Sequence, residues 1–280
     1  FNQFDEFGNY LWHYTVTGPA MVEVLKEVMG PNDRFAGVTL ATGSAGTIGS
    51  GDYLKQHYPN SKIAAGEATE CPTMLVNGFG EHRIEGIGDK HIPWIHNVRN
   101  TDMAIAIDDE ASISLIRLFN EPAGHAYLAD QGVSQDFIEK LPLLGISCVA
   151  NMLMAIKFAK FYELTGNDVV MTVATDSMEM YQSRLAELNE ERGEFTAIDA
   201  AAAYHQYLQA QSLANMQELG YYDKKRIHNL KYYTWVEQQG KTYEEIQAQW
   251  YDPDYWTSIQ VMADPIDEMI EAFNEQVDQA

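Results

Sequence analysis

The sequence predicts an α/β protein with a mainly parallel sheet covered by helices on both faces, followed by a helical C-terminal extension. Three observations lead there. Apolar, strand-like runs alternate with helix-like periodicity over roughly the first 185 residues. One of those runs leads into a small-residue turn, Ala41-Thr42-Gly43-Ser44-Ala45-Gly46-Thr47, that opens a helix. Beyond it the composition changes: the last 95 residues hold Gly193, Gly220 and Gly240, against 17 glycines before them. The expected organisation is therefore a ligand-binding α/β domain over 1–185. The extension, 186–280, is expected to pack on that domain or on a partner subunit.

Thr17, Gly18 and Pro19 open a helix whose Met21, Val24, Leu25 and Val28 share one face, and Gly30 closes it. A buried strand is predicted over 35–40, then the small-residue turn, then a helix over about 48–57 that Pro59 ends. Residues 62–66 and 102–107 read as further strands, with Asp108 or Asp109 as the cap of a helix carrying Leu115, Ile116 and Phe119. Helical spacing over 150–164 stops before Gly166, and 168–174 reads as the last buried strand. In the extension, a helix is predicted over 224–239, closed by Gly240. Trp235, Trp250, Tyr251, Tyr255 and Trp256 read there as packing aromatics.

Composition narrows the partners. With 41 acidic and 18 basic side chains the formal charge is −23, which repels nucleic acid and anionic membranes alike. The most apolar long stretch, 141–156, is interrupted by Ser147, Cys148 and Asn151 and is shorter than the roughly 20 residues a bilayer span needs. Cys71 and Cys148 form neither a disulfide framework nor a zinc motif, which fits a reducing, cytoplasmic compartment. The start, Phe1-Asn2-Gln3-Phe4, has neither an initiator Met nor the regions of a signal peptide, so the chain reads as one entered partway through.

A strand that turns through small residues into a helix leaves several backbone N–H groups unpaired at the positive end of the helix dipole, which makes an anion site. Gly43 and Gly46 allow close backbone approach, while Ser44 and Thr47 add hydroxyl donors. The turn lacks the Lys of a P-loop and the spacing of a dinucleotide fingerprint, so a monophosphate is the expected anion. Tight strand-to-helix packing would account for the turn equally well on its own. Thr175-Asp176-Ser177 follows a predicted strand, where ligands bind in open α/β sheets, but alone it is also a capped turn.

Taken together these segments resemble the fold-type II pyridoxal 5′-phosphate (PLP) enzymes, the superfamily of tryptophan synthase β, cysteine synthase and cystathionine β-synthase. Gly43-Ser44-Ala45-Gly46-Thr47 is similar to that family's phosphate loop, commonly Gly-Thr-Gly-Gly-Thr. Upstream, Asn2-Gln3-Phe4-Asp5 and His13-Tyr14-Thr15-Val16-Thr17-Gly18-Pro19 resemble the cysteine synthase segment before that loop. Downstream, Ile84-Glu85-Gly86-Ile87-Gly88 with Ile92-Pro93, then Gly145-Ile146-Ser147, then Asp176-Ser177-x-Glu179-x-Tyr181 match in the family's order.

The resemblance implies that Gly43, Ser44, Ala45, Gly46 and Thr47 hold the cofactor phosphate, with Ala45 tolerable in the loop if its φ is negative. It implies that Ser177 meets the pyridine nitrogen, that Gly86 lies beside cofactor and substrate amine, and that Gln3 contacts the substrate carboxylate. The implied activity is β-elimination or β-replacement on an amino acid, as a lyase or transferase. The family's Schiff-base lysine and its asparagine loop lie upstream of the Asn-Gln-Phe segment and are not in this sequence. The chain is thus expected to hold no catalytic lysine and to be inactive alone. A missing N-terminal portion or a partner subunit would supply the lysine, and a homodimer is the expected assembly. Alternatives are a non-catalytic or regulatory phosphate-ligand subunit or, within the class, an ammonia-lyase, a dehydratase or a 2-amino-4-ketopentanoate thiolase β-like subunit. Asp89, Lys90 and His91 depart from the family pattern and would add polarity beside the substrate, with Lys90 a substrate contact. Glu85 reads as a carboxylate that orders its segment, and His82, His91 and His96 have no metal-ligand spacing.

Overall fold

Strand β1 (Arg34–Ala41) lies second from one edge of a five-stranded sheet in the computed structural model, which describes residues 1–88 and 90–278. Asp89, one of the polar residues singled out above, lies outside the described residues. The sheet order is β4-β1-β2-β3-β5, with β2 at Lys62–Ala68, β3 at Met103–Ile107, β4 at Asp168–Thr172 and β5 at Met216–Glu218. The first four are mutually parallel. Gly37 to Ala41 pair with Lys62 to Gly66, and Ala64 to Ala68 with Met103 to Ile107.

Period-two alternation distributes these strands between two cores. Ala64, Met103, Ile105 and Ile107 face Leu115, Leu118, Leu153 and Phe158 on one side of the sheet. Val38, Leu40, Ile63 and Ala65 face Leu25, Ile48 and Leu54 on the other. The helices Gly18–Val28 and Ile48–His57 cover the second face; Asp109–Asn120 and Ile146–Phe161 cover the first. The expected helix-covered, mainly parallel sheet is present. Asp108 is the cap of Asp109–Asn120, its carboxylate accepting from the amides of Glu110 and Ala111.

Three expectations shift. The helix read as 150–164 begins earlier, at Ile146: Gly145 is extended and donates to the Asp176 carbonyl, so Ser147 and Cys148 form a small-residue first turn that periodicity misses. The tail is mostly helical, yet it also supplies β5, which pairs antiparallel with β3 through Met216–Ile105 and Glu218–Met103. This short strand is polar and carries no strand-like alternation. The helix read as 224–239 is broken into Tyr221–Asn229 and a wide turn, Tyr232–Val236, on either side of Lys231, whose side chain turns inward. Among the described residues no single helix is long and apolar enough to cross a membrane. The apolar stretch noted in the sequence runs into the buried helix Ile146–Phe161.

Candidate active site

A cavity of about 730 Å³ opens at the carboxyl ends of β1 and β4, where ligands sit in open α/β sheets. Its floor is held by Asn151, the one asparagine in Ile146–Phe161. The Asn151 Oδ1 accepts from the amide of Ala41 at 2.8 Å, and its Nδ2 donates to the carbonyl of Val173 at 2.9 Å. It thereby ties together the two strand ends that frame the cavity. Sequence reading noted Asn151 only as an interruption of an apolar run. A lone amide on a buried helix face was the available signal, since burial demands partners for it.

The loop 43–47 forms one wall. Among the described residues the backbone N–H groups of 43–47 have no protein acceptor, whereas those of Thr42, Ile48, Gly49 and Ser50 do. These unpaired donors sit at the start of Ile48–His57 and make an anion cradle. Two features shape it. Gly46 leaves room for Asn9: a Cβ there would come within 2.3 Å of Asn9 Oδ1 and displace its side chain. Asn9 Nδ2 donates to Ser44 Oγ at 2.9 Å and to the carbonyl of Gln3 at 3.0 Å, fastening the N-terminal segment to the loop. Sequence reasoning passed over Asn9 because its loop partner lies 35 positions away.

The second feature is the backbone conformation of Ala45. Ala45 does not have the negative φ on which its fit was made to depend; its φ is +62°, in the left-handed region that favours glycine. The family's commoner Gly at this place is the unstrained choice. The Ala45 methyl is buried with Leu40 and Ile48, so packing offsets part of the backbone strain.

The segment 82–88 forms the facing wall. Gly86 has φ +83° and lines the cavity beside Ser147; its carbonyl oxygen lies 3.5 Å from where a Cβ of Gly43 would stand. The amide of Gly88 donates to the Thr42 carbonyl at 2.6 Å, which holds the wall to the loop. Glu85 accepts from Arg184 Nε at 2.6 Å, and Arg184 also pairs with Glu187 at 2.7 Å. Arg83 meets Glu191 at 2.7 Å, so the helix Gln182–Arg192 is strapped along this wall by ion pairs. The reading of Glu85 as a segment-ordering carboxylate agrees with its Oε1 contacts. Its Oε2 is buried without a partner among the described residues.

At the third side, Thr175 and Asp176 line the cavity. The Asp176 Oδ2 accepts from the Tyr181 hydroxyl at 2.5 Å, a bond that pushes the Tyr181 pKa up to about 12 and keeps it a donor. Ser177 comes next, half-buried, just outside this wall and at the start of the turn Met178–Tyr181. Gln3 lines the cavity, whereas Lys90 is exposed and outside its wall. His91 turns toward the tail, with its ring 5.4 Å from Phe4 and 5.8 Å from Trp235. Among the described residues no lysine lines the cavity, and no three His, Cys, Asp or Glu side chains are grouped to hold a metal.

No family model matches the chain. The cysteine synthase of Staphylococcus aureus is 31% identical over 184 residues, which cover 65% of this chain and 51% of that enzyme. Cysteine synthase B of Campylobacter jejuni is 27% identical over 183 residues, covering 65% and 52%. The chain thus spans about half the length of the curated relatives it matches. Among solved structures, a hydrogen sulfide-producing enzyme from Fusobacterium nucleatum superposes with a TM-score of 0.53 at 24% identity, covering 78% of this chain and 57% of that one. O-acetyl serine sulfhydrylase isoform 3 from Entamoeba histolytica gives 0.54 at 24%, covering 74% and 53%. These likenesses share the fold. Over these 184 residues the chain is similar to cysteine synthases, and its fold is the one those solved structures share.

Proposed function

We propose that this chain forms the phosphate- and substrate-binding part of a PLP-dependent lyase or transferase that carries out β-elimination or β-replacement on an amino acid. The observation that carries the reading is the cradle of unpaired amides at 43–47, opening into a cavity whose size suits a small cofactor with its substrate. A phosphate monoester fits it: the amides of Gly43 through Thr47 and the hydroxyls of Ser44 and Thr47 donate to the phosphate, and the bare Cα of Gly46 lets Asn9 brace the loop. When bound, PLP supplies the electron sink for breaking bonds at the amino acid's α- and β-carbons.

In this reading the chain's residues orient the reactants. Gln3 holds the substrate carboxylate and Gly86 the region of the substrate amine. Ser177 is the partner of the pyridine nitrogen; Thr175, two residues before it, is the hydroxyl at the cavity wall. A neutral hydroxyl there leaves the nitrogen unprotonated, which limits carbanion stabilisation and suits departure of a β-substituent. The Schiff-base lysine comes from outside these 280 residues, a reading supported by a cavity wall without lysine. It belongs to an upstream portion or to another subunit, in a homodimer or larger complex, and the chain alone is then inactive. A reducing cytoplasmic setting suits Cys71 and Cys148, both buried and unpaired.

The absent wall lysine also favours a second reading, a catalytically silent subunit that keeps the phosphate-ligand site. The two part on turnover. The protein containing this chain, loaded with PLP and offered O-acetylserine, serine or cysteine with and without a thiol, should release pyruvate or form a thioether on mass spectrometry. PLP binding without either product from any of these amino acids favours the silent subunit.

A further inference from the structure

The extension closes around the segment that presents Gln3, and it does so with polar contacts aimed at backbone. Lys231, fully buried, donates from Nζ to the carbonyls of Trp94 and His96, each at 2.8 Å, and to Gln249 Oε1 at 2.6 Å. Three acceptors match the three protons of an ammonium group. Trp235 Nε1 donates to the carbonyl of Ile92 at 2.8 Å. The stretch 92–96 is thereby held from the tail side, and it passes the constraint on: the amide of Trp94 donates to the Phe4 carbonyl at 2.8 Å, next to Gln3. A second contact is direct. Lys241 Nζ lies 2.7 Å from Asp5 Oδ1, two residues from Gln3, and 5.2 Å from the ring centroid of Trp94.

We infer that the tail is a positioning element for the substrate-carboxylate site, with Lys241 acting through Asp5 and Lys231 through the 92–96 stretch to hold Gln3 in the cavity wall. This rests on the PLP reading of the cavity. General stabilisation would need only the apolar contacts the tail already makes, such as Trp256 against Phe7 and Tyr10. What the Lys241–Asp5 pair adds, beside the bonds from Asn9 and Trp94, is a charged anchor next to exposed Asn2 and Gln3 and half-buried Phe4. Binding geometry is sensitive to displacements of an ångström, so this placement bears on the ligand's carboxylate more than on its phosphate.

The test uses two unreactive adducts, N-phosphopyridoxyl-L-alanine and N-phosphopyridoxyl-ethylamine, which differ by the carboxylate and need no lysine to bind. The ratio of their Kd values measures the carboxylate's share of binding. Lys241→Ala should lower that ratio about fivefold, the scale of a half-buried ion pair, and leave the ethylamine adduct's Kd unchanged. The charge-exchanged double variant, Asp5→Lys with Lys241→Asp, should recover part of the ratio. If both adducts weaken together, or if the ratio does not move, the tail's role is merely structural and the inference fails. Binding of neither adduct to the unmodified chain would instead overturn the PLP reading on which it rests.

Discussion

The loop region around 43–47 and the tail beyond 186 are built on opposite principles. In the loop, the functional groups are backbone amides, and the side chains are small so that the backbone can be reached. In the tail, the decisive groups are long polar side chains buried among aromatics: Lys231 and Gln249 are fully buried, and His228 nearly so. A backbone site writes itself into sequence as a run of small residues in fixed order. A buried side-chain network has no such signature, because each group's partner lies far along the chain.

The largest effect expected from breaking this contrast is at Lys231. Burial pushes its pKa well below the ordinary lysine value, and its three acceptors are themselves buried. Lys231→Met keeps the stem's packing but leaves the His96 carbonyl and Gln249 Oε1 without this donor. A loss of about 3 kcal/mol is expected, read as a fall in the urea midpoint. A midpoint within experimental error of the parent would mean that the aromatics alone hold the tail.

A smaller effect follows from the two histidines beside Lys231. Burial and the nearby lysine lower His96 and His228 from the ordinary 6.5 to about 3. Both pKa values are lower in the folded state, so between about pH 6.5 and 3 the unfolded chain binds more protons and stability falls as the pH falls. His228→Gln preserves a donor toward the Ile246 carbonyl and removes one titration. Its stability should decline with acid by about one proton less per molecule than the parent's, measured as urea midpoints across that range. An unaltered slope would place the acid sensitivity elsewhere.

The smallest effect is on the loop side. Ala45→Gly relieves a left-handed alanine, worth about 1 kcal/mol, and loses a buried methyl, worth about 0.8 kcal/mol, so the thermal midpoint should hardly move. Ala45→Val, branched at Cβ in the same backbone conformation, should lower it clearly. Equal midpoints for all three would contradict the positive φ.

The same contrast explains what was legible in the sequence. The parallel strands, the helices over the sheet and the 43–47 turn were readable because periodicity and small-residue turns are local properties, whereas the Gly86 and Asp176 segments were legible only through the family resemblance. Asn9 and Asn151 were not: each matters through a backbone or side-chain partner 35 or 110 positions away. The sign of φ at Ala45 was equally hidden, since alanine by itself favours the opposite region. In the tail, Trp235 and Trp256 were rightly read as packing residues, but Lys231 looked like any surface lysine on a helix. The strand Met216–Glu218 was missed because it pairs at an edge with little burial and no apolar alternation.

If the 43–47 amides form the cofactor's phosphate site, a phosphopyridoxyl ligand binds through them. Fluorescence titration of the chain with N-phosphopyridoxyl-L-alanine tests it directly when paired with Gly46→Ala, whose added methyl would meet Asn9 at 2.3 Å. The account predicts saturable binding by the parent chain, weakened about a hundredfold in the variant while its far-ultraviolet circular dichroism is unchanged. Equal affinity in the two folded proteins would contradict it.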